Sequence, residues 1–312
     1  MAKQVGLEAL ATYVPEGRID FSKNQTLMNQ WAITPEFLKN KTGFLKVARK
    51  KVGDQASDLA MAAFLQLQKK TAFDTSAIDL VVVVTQNPDT RLPHVSAILH
   101  DRLGLSSTCA AFDISHGCAG YVYGIAVTQS FMKEHGLRKA LLFTSDPYSG
   151  IVDPADRDTA LLFGDAASVT LLSEDPVWVC GKFSFCTNGQ HHSSLRVLDK
   201  TLVMDGLQVF NFAAKQIPLE ITKVLQLNQL KIEDIDSFLI HSGSRFIVDT
   251  IVQRAGLPPG RCPFGDTDVG NTISTSLPLL LEKEFLTSRT VILTGFGVGL
   301  SSASTVLRST AR

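Results

Sequence analysis

Three residue types in this chain suit acyl chemistry: a cysteine, a histidine and an asparagine, each where a strand or turn gives way to the next element. Cys118 stands in Ser115-His116-Gly117-Cys118-Ala119-Gly120-Tyr121, after an apolar run that ends near Ile114. A strand, a glycine-bearing turn and a helix would set the thiol at a helix N-terminus, where free N–H groups and the helix dipole favour thiolate. An unperturbed thiol titrates at about 8.5, so such a shift matters for a nucleophile at neutral pH. Gly117 and Gly120 allow a tight turn and close approach of a substrate. His241 closes an apolar run and enters His241-Ser242-Gly243-Ser244, at the carboxyl edge of a sheet where α/β proteins bind ligands. Asn271 lies in Gly270-Asn271-Thr272, and its amide can donate to a developing oxyanion, as an ionised carboxylate cannot. Each residue taken alone also has an ordinary reading: a buried structural cysteine, a satisfied core histidine, an N-cap asparagine.

The elements that would hold them are legible as short β-branched runs: 78–85, 110–114, 140–145, 168–172, 237–241, 290–294 and 304–307. Segments with helical spacing, such as 118–133 and 274–286, lie between them. Near-continuous apolar strands alternating with helices predict an α/β chain with both sheet faces covered. The order appears twice. Strand, cysteine-bearing helix start, strand and strand in the first half are answered by strand, asparagine-bearing helix start, strand and strand in the second. A duplicated α/β unit is therefore expected, with halves 1–175 and 176–312 and the two helix starts facing one site.

The chain has 312 residues, enough for a large buried core, with 45% hydrophobic and 19% charged residues. Lys+Arg and Asp+Glu both total 30, so net charge gives no reason to expect nucleic acid or an anionic membrane as partner. No run of about 18 apolar residues predicts a membrane span. Met1 to Asp20 makes a poor signal peptide. The five cysteines form no CxxC pair or metal-ligand spacing, which fits free thiols in a reducing cytoplasm. His191-His192 look like paired metal ligands, but no third partner is placed by the sequence, and they are read as a solvated loop.

Five segments in register resemble the β-ketoacyl-acyl-carrier-protein synthase III family of the thiolase superfamily. Lys41-Thr42-Gly43-Phe44 is similar to the family's RTGI segment, and 110–121 to its strand leading into CAGF. Asp153-Pro154-Ala155-Asp156-Arg157, followed by Leu162-Phe163-Gly164-Asp165, resembles DPxDR…FGDG. Gly270-Asn271-Thr272 resembles GNTSAAS, and Phe296-Gly297-Val298-Gly299 the glycine-rich end FGGG.

The resemblance implies a thiolase-like fold of layered αβαβα architecture and a decarboxylating condensation. Cys118 would take an acyl group from a thioester. His241 and Asn271 would hold the enolate of a malonyl-type thioester, and the backbone N–H groups of Cys118 and Val298 would hold a second oxyanion. It puts Phe37, Arg157, Phe210, Gly243, Ser244 and Phe296 along the path of the substrate. Phe37 would replace a tryptophan that stacks on adenine, Arg157 would pair with phosphate, and Leu92 would reach the partner subunit's acyl pocket in a homodimer. Acyl-coenzyme A or an acyl carrier protein would be the partner and substrate, with no metal and no redox cofactor.

Departures are also visible. The family's HQAN is His241-Ser242-Gly243-Ser244, the arginine that docks the carrier falls one place early at Arg245 with Phe246 in its position, and His116 replaces a small residue beside the nucleophile. These changes suggest an enzyme of specialised acyl or secondary metabolism. Two other activities fit the same fold: an acyltransferase passing the Cys-bound acyl group to a hydroxyl or amine, and a non-catalytic partner subunit, against which the intact Cys118, His241 and Asn271 set argues.

Overall fold

The structure, a computed structural model, describes residues 4–310. Its centre is a nine-stranded mixed sheet. In chain order the strands are β1 (Gly6–Tyr13), β2 (Leu80–Val84), β3 (Ala110–Ile114), β4 (Lys139–Ser145), β5 (Ala167–Ser173), β6 (Trp178–Thr187), β7 (Ser237–Ile240), β8 (Thr290–Gly297) and β9 (Ser301–Ser309). Their spatial order is β7-β8-β9-β6-β1-β5-β4-β2-β3. The order contains one grammar twice. On one side β2 runs parallel to β4, β4 antiparallel to β5, and β5 antiparallel to β1. On the other, β7 runs parallel to β8, β8 antiparallel to β9, and β9 antiparallel to β6. A single pairing, Leu7 with Trp178, joins β1 to β6. β3 adds a parallel strand to the outer edge of β2.

Six helices form the remaining layers: α1 (Ala56–Lys70), α2 (Val95–Arg102), α3 (Gly120–His135), α4 (Gly206–Leu227), α5 (Arg245–Arg254) and α6 (Ser276–Glu284). The strand period of two assigns them to faces. On β2, Leu80, Val82 and Val84 pack with Tyr121, Val122 and Ile125 of α3 and Leu277, Leu280 and Leu281 of α6, whereas Val81 and Val83 pack with Leu59, Phe64 and Leu67 of α1 and Leu99 of α2. On β8, Val291 and Leu293 join the α3/α6 layer, and Ile292 faces Ile217 and Ile221 of α4 and Ile251 of α5. The result is five layers, αβαβα, with α3 and α6 between the two stretches of sheet. Truncating a residue of that middle layer such as Leu280, which is buried, to alanine would cost about 2–5 kcal/mol.

The strands named from sequence are present, with ends shifted by a few residues. β1 and β6 are additional, and they lie side by side at the junction of the two stretches. Their sequences, GLEALATY and WVCGKFSFCT, mix charged, small and apolar residues, so no continuous apolar run marks them.

Candidate active site

The first three residues of the site come from the carboxyl ends of strands or the turns beyond them. β3 ends at Ile114, and Cys118 sits two residues before α3 begins at Gly120. Glycines let neighbouring chain approach. A Cβ on Gly295 of β8 would lie 2.7 Å from both Cys118 O and Ala119 Cα, and one on Gly297 would lie 2.8 Å from Cys118 Sγ. The backbone N–H groups of Cys118 and Val298 are directed at the sulfur.

One expectation is overturned. The thiol was expected to be lowered at the helix start, but it is pushed up to about 12, first by burial and then by the negative charge of Asp146. The two N–H groups oppose this rise without reversing it. Removing the sulfur from water costs more than the helix N-terminus returns. Cys118 rests as a thiol.

His241 follows β7 directly. Its backbone N–H donates to Thr294 O at 2.9 Å, and its ring meets Phe296 edge-on at 5.3 Å. Nδ1 lies 2.5 Å from the hydroxyl of Ser276, the first residue of α6. When the serine O–H donates to Nδ1, the ring proton sits on Nε2. Burial lowers the imidazole to about 3, so the ring is a neutral group near neutral pH.

Asn271 is clamped through its backbone: its N–H donates to Leu162 O at 2.8 Å, and its carbonyl accepts from Gly164 N at 2.9 Å. Its side-chain Oδ1 accepts from Ile273 N at 3.0 Å, and Nδ2 donates one N–H to Gly243 O at 3.4 Å, which leaves its second N–H for a substrate. Gly270 makes the turn with φ +88°, and a Cβ there would meet Leu162 O at 2.9 Å. The Phe163-Gly164-Asp165 stretch is in turn fixed by Asp165, which accepts from Lys50 N and Ser149 N.

Cys118, His241 and Asn271 line one cleft of about 450 Å³. Phe37, Phe210, Gly243, Ser244 and Phe296 line it as well. Ser244 has a second task, since its Oγ caps α5 by accepting from Ile247 N. Arg157 is not in the lining. It pairs with Asp158 at 2.8 Å on the surface, and the aspartate, not the arginine, borders the cleft. Leu92 is 86% exposed and away from the cleft.

Some lining residues named in the sequence analysis were not assigned to the cleft there. Phe246 stacks on Phe210 with centroids 5.2 Å apart and planes 14° apart, and Lys41 Nζ lies 3.9 Å above the Phe246 ring. Arg245 instead lies over Phe264 and 3.7 Å from Asp249. The one-place shift of the arginine therefore gives the cleft an aromatic edge. His116 stacks on Tyr123 at 4.3 Å, and burial lowers its imidazole to about 4. Ser276 and Asp146 were also missed. Ser276 lay within the helical segment named, but nothing in the sequence ties it to a histidine 35 residues away. Among the described residues no group of three His, Cys, Asp or Glu side chains is placed to hold a metal ion, and His191 and His192 lie in the segment Gly189–Ser194, which is kinked at His191.

Comparison with known proteins agrees with this geometry. Residues 112–189 match the family 3-oxoacyl-[acyl-carrier-protein (ACP)] synthase III, and residues 225–309 match its C-terminal part, together more than half of the chain. A protein named β-ketoacyl-[acyl-carrier-protein] synthase III from Acholeplasma laidlawii is 30% identical over 296 residues, covering 92% of each chain. A crystal structure of a 3-oxoacyl-(acyl-carrier-protein) synthase III superposes with a TM-score of 0.91 at 29% identity, covering 98% of this chain and 99% of that one. The priming β-ketosynthase of the R1128 polyketide biosynthetic pathway superposes with a TM-score of 0.88 at 25% identity, covering 98% and 96%. With the fold, the cleft and these matches in agreement, the chain belongs to the 3-oxoacyl-[acyl-carrier-protein] synthase III family.

Proposed function

We propose that the protein is a condensing enzyme that loads an acyl group from a coenzyme A or carrier-protein thioester onto Cys118 and extends it with a malonyl-type thioester. The observation that carries this reading is the meeting of Cys118, His241 and Asn271 in one mostly apolar cleft. Sγ attacks the donor carbonyl, the donor's carbon–sulfur bond breaks, and the proton lost from Sγ is taken up by the departing donor sulfur, which leaves as a thiol. The malonyl-type thioester then loses carbon dioxide, and the enolate carbon attacks the acyl-Cys carbonyl and expels Sγ as a thiolate, which takes a proton from water to return to the resting thiol. Nε2 of His241 and Nδ2 of Asn271 donate to the thioester oxygen as it becomes an enolate. The backbone N–H groups of Cys118 and Val298 serve the other oxyanion, which is why Val298 can stand where the family has glycine: the donor is main chain. One such donor contributes roughly 100- to 1000-fold in rate.

In this reading Phe37, Phe210, Gly243, Ser244 and Phe296 border the arm of the donor, and the protein needs no metal or redox group. Arg157, an exposed side chain paired with Asp158 beside the cleft, is the group proposed to meet a phosphate of the donor. We infer that residues 1–175 and 176–312 are the two duplicated halves, and that the chain works as a cytoplasmic homodimer with Leu92 in the neighbour's acyl pocket. The dimer is supported by the outer edge of β3, which pairs with no further strand among the described residues, and by the face of α3 carrying Tyr123, Val127 and Phe131, with Val127 39% exposed. Among the described residues no helix is long and apolar enough to cross a membrane.

Intact-mass analysis tests the reading. The protein incubated with acyl thioesters gains the acyl mass, and Cys118→Ala does not. Added malonyl thioester then releases a β-ketoacyl product. Acyl gain by the alanine variant would overturn the assignment of the nucleophile, and discharge to a hydroxyl or amine without loss of carbon dioxide would make the protein a simple acyltransferase.

A further inference from the structure

Behind the nucleophile lies a fully buried carboxylate that the proposed chemistry does not use. Asp146 directly follows β4. Its Oδ1 accepts from Gln86 N at 2.7 Å, and its Oδ2 accepts from the Ser274 hydroxyl at 2.5 Å. The two donors belong to different parts of the site. Gln86 packs its side chain on the cysteine turn: its Oε1 would be 2.6 Å from a Cβ on Gly117, and it accepts the Tyr148 hydroxyl at 3.1 Å. Ser274 belongs to the turn that begins at Asn271, three residues earlier in sequence. That turn needs holding, because Ile273, a buried β-branched residue, has φ +52°.

We propose that Asp146 is a positioning residue: it ties the Asn271 turn to the strand end behind Cys118, and its charge sets the electrostatic field at the sulfur.

No cation contributes to the titration of Asp146; burial raises it to about 6, and the hydrogen bonds from Gln86, Ser274 and Thr85 oppose that rise. The titratable groups around Cys118 are Asp146, Tyr148, His241 and His116. Tyr148 is held well above its usual value by burial and by the charges of Asp146 and Cys118, and His241 and His116 are both held neutral by burial. Asp146 is therefore the one group of this set that carries charge at neutral pH. Its two tasks separate by substitution. Asparagine keeps the shape and one acceptor but loses the charge, whereas Ser274→Ala loses the tie and, because the lost hydrogen bond lets the carboxyl rise further, keeps the charge at alkaline pH.

The part that concerns Asn271 rests on the condensing reading; the part that concerns the sulfur does not. The test is the rate of Cys118 alkylation by iodoacetamide against pH, read by peptide mass, alongside decarboxylation of malonyl thioester. Asp146→Asn is expected to alkylate faster at pH 8, by roughly tenfold for each unit by which the thiol falls, and to decarboxylate more slowly. Ser274→Ala is expected to keep the parent's alkylation rate at pH 8 and above and to decarboxylate roughly tenfold more slowly. An unchanged alkylation profile in Asp146→Asn overturns the proposal, and so does a parent-like decarboxylation rate in Ser274→Ala. A parent protein that does not decarboxylate at all would sink the condensing reading alone, and alkylation would still decide the role of Asp146.

Discussion

The imidazole Nδ1 of His241 and the hydroxyl of Ser276 stand 2.5 Å apart, both buried, one at the end of β7 and the other at the start of α6. The contact fixes the plane of the ring and, with the serine donating, its tautomer. A buried hydrogen bond of this kind contributes about 1 kcal/mol net, so its removal should change rate more than fold. Ser276→Ala is expected to load acyl groups on Cys118 at the parent's rate and to decarboxylate malonyl thioester about 5- to 10-fold more slowly. Rapid-quench measurement of the two half-reactions checks this; equal slowing of both would place Ser276 in the first step instead.

The pH dependence follows from the same residue. Burial depresses His241 from 6.5 to about 3, so its neutral form persists as pH falls well below the ordinary histidine range. By linkage, a depressed pKa adds stability that is present above the unfolded value, near 6.5, and is lost as pH falls toward the folded value. Decarboxylation in Asp146→Asn, which lacks the nearby carboxyl raised to about 6, should therefore show no inflection near pH 6.5. Thermal stability should drop between about pH 6.5 and pH 3, and the drop should be smaller in His241→Ala. An inflection at 6.5 in the Asp146→Asn rate would mean that His241 charges in the working enzyme.

How much of this was legible in sequence depends on whether a residue acts through its local context or through a distant partner. Cys118, His241 and Asn271 each stand at a junction between an apolar run and a small-residue turn, and the structure brings all three into one cleft. Asp146 also follows an apolar strand, in Ser145-Asp146-Pro147, but its meaning lies in Ser274, 128 residues away. The raised thiol escaped for a related reason: local sequence shows the helix start, whereas desolvation and Asp146 arise only from packing. That both sheet faces are covered was readable because β2 and β8 are apolar on both faces, whereas the five-layer order was implied by the family resemblance alone. β1 and β6 were not, since their glycines, charges and hydroxyls interrupt the runs.

Gly297 offers a steric test of the nucleophile's surroundings. A methyl group there would lie 2.8 Å from Cys118 Sγ and 3.0 Å from its Cβ, inside van der Waals contact. Gly297→Ala should therefore push β8 away from the thiol or turn Sγ aside. Acyl loading is expected to fall at least about tenfold, since a small displacement of reacting atoms is costly, with far-ultraviolet circular dichroism unchanged. Parent-like loading in a folded Gly297→Ala protein would show that the Val298 N–H need not sit where it does.

Leu92 supplies the last prediction, which concerns the acyl primer. The residue is 86% exposed in a loop whose neighbours 89–94 are all exposed or half-buried. A leucine in that position gains by being covered, and in a homodimer built across β3 the neighbour's acyl pocket would cover it. Leucine is smaller than the aromatic residue it would replace, so the pocket would be deeper, and each additional buried methylene of the primer contributes about 0.8 kcal/mol. The parent is expected to prefer medium or branched acyl thioesters over acetyl in competition. Leu92→Phe should shift that preference toward acetyl by about fourfold for each methylene excluded, while leaving malonyl decarboxylation on an acetyl-loaded enzyme unchanged. Sedimentation should show a dimer in both proteins. A stable and fully active monomer would remove Leu92 from the site, and a parent that already prefers acetyl would show that other side chains refill the pocket.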